Sequence, residues 1–151
     1  MAWLKNILGE QSPDHVQEAN RAEEEGDWRR AGTCYERVGD LQGALERYKK
    51  ARDYTLCAEL VLRMDRTDLA VKYFLLAGDK VQAADLLEQL GEHERAAEVF
   101  AEIGAFDKAA AAFLESGDHV RAAELFAEGG HFLEAGDALE RVGKVSEAAE
   151  A

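Results

Sequence analysis

Four histidines, two cysteines and thirty-one carboxylates are the side chains of this 151-residue chain best suited to chemistry. Metal-assisted or nucleophilic catalysis needs such groups to converge at defined spacings. His93 and His119 share one repeating position with Trp28, Leu41, Tyr54, Phe106 and Phe132. Each is therefore expected to turn a flat ring toward its neighbours and a polar tip toward water. His15 and His131 have no cysteine or carboxylate at a recognised metal-ligand spacing. Cys34 and Cys57 fit reduced thiols better than a redox pair. The glycines are dispersed rather than gathered into a phosphate-binding loop. The chain is expected to bind without catalysing a reaction, and to use no cofactor and no metal.

The dispersed glycines carry the organisation. Gly26, Gly39, Gly78, Gly91, Gly104, Gly117, Gly130 and Gly143 are separated by multiples of thirteen, and Arg52 and Asp65 fill the two missing slots. Counting each glycine as column one, column six reads Ala31, Ala44, Cys57, Ala70, Ala83, Ala96, Ala109, Ala122, Ala135 and Ala148. Column ten reads Tyr35, Tyr48, Val61, Phe74, Leu87, Phe100, Phe113, Phe126 and Leu139. At about 100° per residue, columns three, six, seven, ten and thirteen share an arc of roughly 120°. Columns five, eight and twelve lie opposite and are mostly charged, as in Arg95, Glu98, Glu102, Arg121, Glu124 and Glu128. Each unit predicts one amphipathic helix, with glycine ending it and Asp27, Asp40, Asp79 or Asp118 capping the next. About ten helical residues make a rod near 15 Å, too short to stand alone in water. The units must stack.

The segment Gly39-Asp40-Leu41-Gln42-Gly43-Ala44-Leu45-Glu46-Arg47-Tyr48-Lys49-Lys50-Ala51 resembles the second helix of a tetratricopeptide repeat, with turn glycine, small residue, aromatic and final alanine in family order. Gly26 to Val38, Gly91 to Ile103 and Gly117 to Gly129 are similar, and the likeness spans residues 13–151. An ordinary repeat of that family has about 34 residues and two dissimilar helices. Two units here total 26, both helices follow the second-helix pattern, and the closing proline is missing. The shortfall of four residues per helix is close to one turn of about 3.6, which keeps the buried face in phase. The resemblance implies an all-α fold. The implied architecture is an α-solenoid, a right-handed superhelix of about eleven short antiparallel helices with two such units in each two-helix repeat. Coat and transport-scaffold solenoids and bacterial repeat adaptors are similar, so the implied role is a scaffold or adaptor that binds a protein or peptide.

Charge and exposed leucines suggest where. Residues 1–52 hold nine Lys/Arg and ten Asp/Glu, whereas residues 53–151 hold nine and twenty-one, and the whole chain carries −13. Such acidity disfavours nucleic acid, which needs clustered cations. The basic cluster Arg29, Arg30, Arg37, Arg47, Lys49, Lys50 and Arg52 is interleaved with Glu36 and Glu46. It reads as a solvated face or as a secondary contact for an acidic partner, through Arg29, Arg30, Arg47 and Lys50. The units headed by Arg52 and Asp65 place Leu56 and Leu69 in column five, Leu76 in column twelve, and Leu62 and Leu75 in column eleven. Leucines on normally charged columns predict the principal partner or self-association surface, with cover by another part of the same chain, residues 1–9 above all, as the alternative.

Residues 1–12 precede the array and carry Trp3, Leu4, Ile7 and Leu8 at helical spacing, expected to cap the first helices of the stack. Only Lys5 offers positive charge there, so membrane contact is disfavoured and confined to residues 1–9. No apolar run approaches the roughly 20 residues of a membrane span, and no secretory leader is recognisable, which predicts a cytoplasmic protein. Residues 13–151 are expected to form one continuous array. Its last unit opens at Gly143 and stops at Ala151 before a column-ten residue, predicting an incomplete last helix and either a piece of a longer chain or completion by a partner. The alternative function is a self-assembling structural or coat-like subunit, a homo-oligomer that polymerises through uncapped ends by setting its basic first third against its acidic remainder.

Overall fold

The physical reason thirteen residues suffice for a helix and a turn is visible at each junction. Gly39 donates its N–H to the Glu36 carbonyl at 2.9 Å, and Asp40 donates its own to the Tyr35 carbonyl at 3.0 Å. These two bonds close the end of a helix. The Asp40 carboxylate then accepts the Gly43 N–H at 2.8 Å and opens the next helix. One residue both finishes one rod and starts another. Asp27, Asp53 and Asp118 repeat the arrangement. The bend requires a left-handed backbone at column one, and the seven glycines from Gly26 to Gly130 adopt φ between 74° and 85°. Arg52 and Asp65 adopt the same region, at 55° and 56°, although each carries a Cβ.

The computed structural model describes residues 13–150, with side chains described over 14–143. The segment bearing Trp3, Leu4, Ile7 and Leu8 lies outside the described residues. Ten helices follow in order: α1 Pro13–Glu24, α2 Trp28–Arg37, α3 Leu41–Lys50, α4 Tyr54–Arg63, α5 Thr67–Ala77, α6 Lys80–Gln89, α7 His93–Glu102, α8 Phe106–Ser116, α9 His119–Glu128 and α10 Phe132–Glu150. The chain divides after Ala77 into one unit with α1 to α5 and another with α6 to α10. Within each, every helix packs on its neighbours in the chain, giving an all-α solenoid-type stack. There is no strand among the described residues.

Two expectations need correction. An eleventh helix opening at Gly143 does not form, because α10 runs through that position. A glycine inside a helix costs only about 1 kcal/mol, so it breaks one only where packing beyond the bend offsets the turn. Column thirteen was also expected in the buried stripe, yet Leu90 and Ile103 are exposed there. Most of the helices end at column twelve, so the helical wheel no longer applies one residue later, and where α5 and α8 run on to Ala77 and Ser116 those residues are exposed too. Column nine takes its place, with Cys34, Leu60, Tyr73, Leu86, Ala112 and Ala138 buried.

Columns six and seven otherwise behave as spacing predicts. Alanine, or Cys57, is buried at column six from Ala31 to Ala135, and column ten supplies large fillers such as Tyr48, Leu87 and Phe100. Tyr48 shows how tight the fit is, since a Cβ on Gly32 of α2 would lie 2.6 Å from its ring. Burial, and then the bond its hydroxyl donates to Glu36, pushes the Tyr48 phenol up to about 12. Ion pairs join helices two apart in the same register. Arg47 of α3 meets Glu23 of α1 at 2.8 Å, 24 residues away, and Lys108 of α8 meets Asp85 of α6 at 3.3 Å, 23 residues away. Arg63 reaches Glu36 and Arg121 reaches Glu94, each across 27 residues. Alternate helices within a unit therefore lie side by side, one two-helix repeat apart.

Left-handed backbone costs a residue with a Cβ about 1–2 kcal/mol, partly offset by the extra freedom glycine has when unfolded. Arg52→Gly should raise stability by about 1 kcal/mol, and Asp65→Gly by less, because aspartate tolerates this region better. Ala105 begins α8 with no side-chain cap yet shares the backbone angles of the capping aspartates. Ala105→Asp should add about 1 kcal/mol. Urea denaturation monitored by circular dichroism checks all three, and a loss of stability at any would mean its native side chain makes a contact that outweighs the turn.

Candidate functional site

The residues singled out for partner binding fall into two groups. In the basic cluster, Arg47 donates to Glu23 at 2.8 Å and to the Tyr35 hydroxyl at 3.1 Å, with its guanidinium 4.2 Å over the Tyr35 ring. The bond from Arg47 holds the Glu23 carboxyl below its usual range. Arg30 pairs with Glu18 and Glu25, both at 3.2 Å, and Arg29 with Asp53 at 3.3 Å. Lys50 lies 4.3 Å over the Trp28 ring. These cations are engaged within the stack. Of the leucines, Leu56, Leu62 and Leu69 are partly buried, while Leu75 and Leu76 of α5 are 38% and 52% exposed. Of the predicted leucine surface, Leu75 and Leu76 are the exposed members, beside the exposed Lys72.

The remaining expectations concern chemistry. His93 and His119 are both partly buried in column three. Cys34 and Cys57 are free and buried, and burial pushes both thiols up, Cys57 to about 11. A thiol so raised stays protonated near neutrality and is a poor nucleophile. No group of three His, Cys, Asp or Glu is placed to hold a metal among the described residues.

A second surface, in the unit of α6 to α10, has the geometry of a binding groove. Glu98 and Glu102 project from α7, and Glu124 and Glu128 from α9, one helical turn apart on each rod. Between them runs a groove of about 420 Å³ with Ala101, Phe113 and Leu125 in its floor. Arg121 lies 4.3 Å over the Phe113 ring and bonds Glu94 and Asp118, with Glu98 at 3.6 Å. This one guanidinium fixes α9 to α7 at one end of the groove. Lys80 meets Glu102 at 2.8 Å. Glu124 and Glu128 pair with no cation among the described residues. The result is an apolar trough with carboxylate walls.

Spacing along the chain held the signal for this groove, although these glutamates read as a solvated face. Glu98 and Glu124 share column eight, Glu102 and Glu128 share column twelve, and each pair is separated by one two-helix repeat. Alternate helices in register place equal columns on facing walls. The helix between them, α8, contributes Phe113 rather than acid.

No family model and no curated protein matches the chain. Among solved structures, a crystal structure of MamA protein is similar over 94% of this chain and 96% of that chain, with 16% identity and a TM-score of 0.36.

Like charges one turn apart on a helix are unfavourable by about 0.2–0.5 kcal/mol per pair. Glu124→Gln with Glu128→Gln should therefore leave thermal stability unchanged or slightly raised at low salt, an effect that fades as salt is added. Asp118 is held below its usual range first by the Arg121 backbone N–H and then by the Arg121 side chain. A lowered folded pKa stabilises above the unfolded value of about 3.9 and is lost as pH falls through the folded one. Asp118→Asn keeps a neutral cap, so its deficit, below about 1 kcal/mol for so exposed a pair, should be largest near neutrality and vanish in acid. Stability measured against pH tests this, and a deficit that grows in acid would rule it out.

Proposed function

We propose that the chain is a non-enzymatic interaction scaffold, a compressed relative of tetratricopeptide arrays, that binds a protein or peptide partner on its helical-repeat surface. The observation that carries this reading is the groove between α7 and α9, where Ala101 and Leu125 lie between Glu98 and Glu102 on one side and Glu124 and Glu128 on the other, with Arg121 over the Phe113 ring at one end. Its chemistry suits a peptide segment bearing lysine or arginine with an apolar anchor, because the walls attract cations and the floor takes an uncharged side chain. Leu75 and Leu76 offer a second contact on the first unit. The same carboxylates repel nucleic acid. No helix among the described residues is long and apolar enough to cross a membrane. Buried free thiols at Cys34 and Cys57 suit a reducing compartment such as the cytoplasm.

A self-assembling subunit is the second reading, and one observation favours it. Helix α10 exposes Phe132 at 73%, Leu133 at 84% and Leu139 at 53%.

Fluorescence anisotropy with a labelled Lys/Arg/Leu peptide tests the scaffold reading. Binding should weaken with salt and fall about tenfold in Glu124→Gln/Glu128→Gln, roughly 1.4 kcal/mol. Leu75→Ser/Leu76→Ser should leave it intact. Equal affinity for an acidic peptide of the same length, or indifference to the glutamine pair, would reject the groove. Loss in the serine pair alone would move the contact to α5.

A further inference from the structure

The first and last of the described helices differ in chemistry. Helix α1 buries Ala19 and Ala22 and exposes Gln17, Asn20, Arg21 and Glu24, with Val16 the one exposed apolar side chain on that face. A face of that kind is at home in water. Helix α10 is the reverse, since Ala135 and Ala138 are buried beside Ala123 whereas Phe132, Leu133 and Leu139 are exposed. Columns three and ten, occupied there by Phe132 and Leu139, are at least partly covered in every helix from α2 to α9.

Gly136 adds a second feature to the same face. In α2 the equivalent column-seven residue is Gly32, and the Tyr48 ring of the following helix fills the space above it. In α10 a Cβ on Gly136 would meet nothing within 4 Å. Spaced at i, i+1, i+4 and i+7, Phe132, Leu133, Gly136 and Leu139 lie along one side of the helix. That side holds both a notch of the kind an aromatic fills elsewhere in this fold and an exposed aromatic one turn away.

We propose that this face is occupied by the α10 helix of a second copy, antiparallel and related by a two-fold axis, with Phe132 of each copy seated over Gly136 of the other. The inference rests on the self-association reading and alters its form. A patch that carries its own knob and its own hole is complementary to itself, which closes a dimer. Among the described residues α1 offers no matching apolar face, since its exposed side is polar. One helix pair is small beside a standard interface of about 1,600 Å², so the dimer is a weak one. The pairing also brings together two acidic units, each with five Lys/Arg and fifteen Asp/Glu over residues 78–143. Repulsion between them is screened by salt, so added salt should strengthen this dimer. A basic end meeting an acidic end would respond in the opposite sense.

Sedimentation equilibrium of the full chain over a wide concentration range, at low and high salt, tests the proposal. The expected result is a monomer of 16.6 kDa in equilibrium with a species of twice that mass and none larger, with the association constant rising with salt. Phe132→Glu should lower that constant at least tenfold with helicity and melting unchanged. Gly136→Gln fills the notch with a good helix former and should lower it as well, which keeps the test informative if the charged variant unfolds. Larger species that grow as salt is removed would retain self-assembly but overturn the closed dimer. A monomer at every concentration and salt would overturn both, as would capture of this face by an added peptide with no dimer formed. Dimers indifferent to both substitutions would place the contact elsewhere and overturn the proposal.

Discussion

The fold depends on a shared position at the turns, where a single residue ends one helix and begins the next. Asp40 donates its N–H to the Tyr35 carbonyl and receives the Gly43 N–H on its carboxylate. A conventional link between helices would separate these tasks with extra residues. Joining them fixes the period at thirteen and leaves the rods too short to be stable singly. Stability must then come from sideways packing, which explains the recurrence of a small residue at column six. The carbonyl held by the turn belongs to the column-ten residue, so the bond that closes the helix also anchors the side chain that fills the space between helices. Arg52 and Asp65 show how strongly this geometry is imposed, because the chain accepts left-handed backbone there without glycine.

Most of that was legible from residue types and spacing. Gly26 through Gly130 marked the helix ends, and Ala31 through Ala135 marked the close approaches, since both follow from local sterics that repeat unit by unit. What failed did so where local rules lose authority. Gly143 carries the same signal as Gly130, yet a helix passes through it. A glycine permits a turn and does not compel one. Column thirteen failed for a related reason, because its place on the helical wheel assumed a helix one residue longer than most of the turns allow.

The binding surfaces were harder to read because they depend on which helices become neighbours. Arg47 and Arg30 look like free cations along the chain, and only the pairing of α3 with α1 and of α2 with α1 supplies Glu23 and Glu18. Glu124 and Glu128 look equally solvated and have no such partner among the described residues. The difference lies in what the adjacent rod presents at the same height. Glu98 and Glu102 meet like charge one repeat later, whereas Glu23 meets Arg47 after nearly the same interval. Register between alternate helices therefore decides whether an exposed charge is satisfied within the stack or left for a partner.

That distinction divides the molecule's surface by energetic role. Arg121 satisfies three carboxylates and covers the Phe113 ring, so its neighbourhood is already compensated. Beyond it Glu124 and Glu128 on the α9 wall of the trough carry negative charge with no cation partner among the described residues, at a small cost in helix stability. The exposed side of α10 leaves apolar area uncovered in the same way. Uncompensated charge and uncovered apolar area differ in their response to solvent, because salt weakens attraction of cations to the first and, by screening repulsion between acidic bodies, permits contact through the second. The two surfaces can therefore be told apart by ionic strength alone, since one set of conditions that favours a cationic peptide in the trough disfavours a second copy on α10.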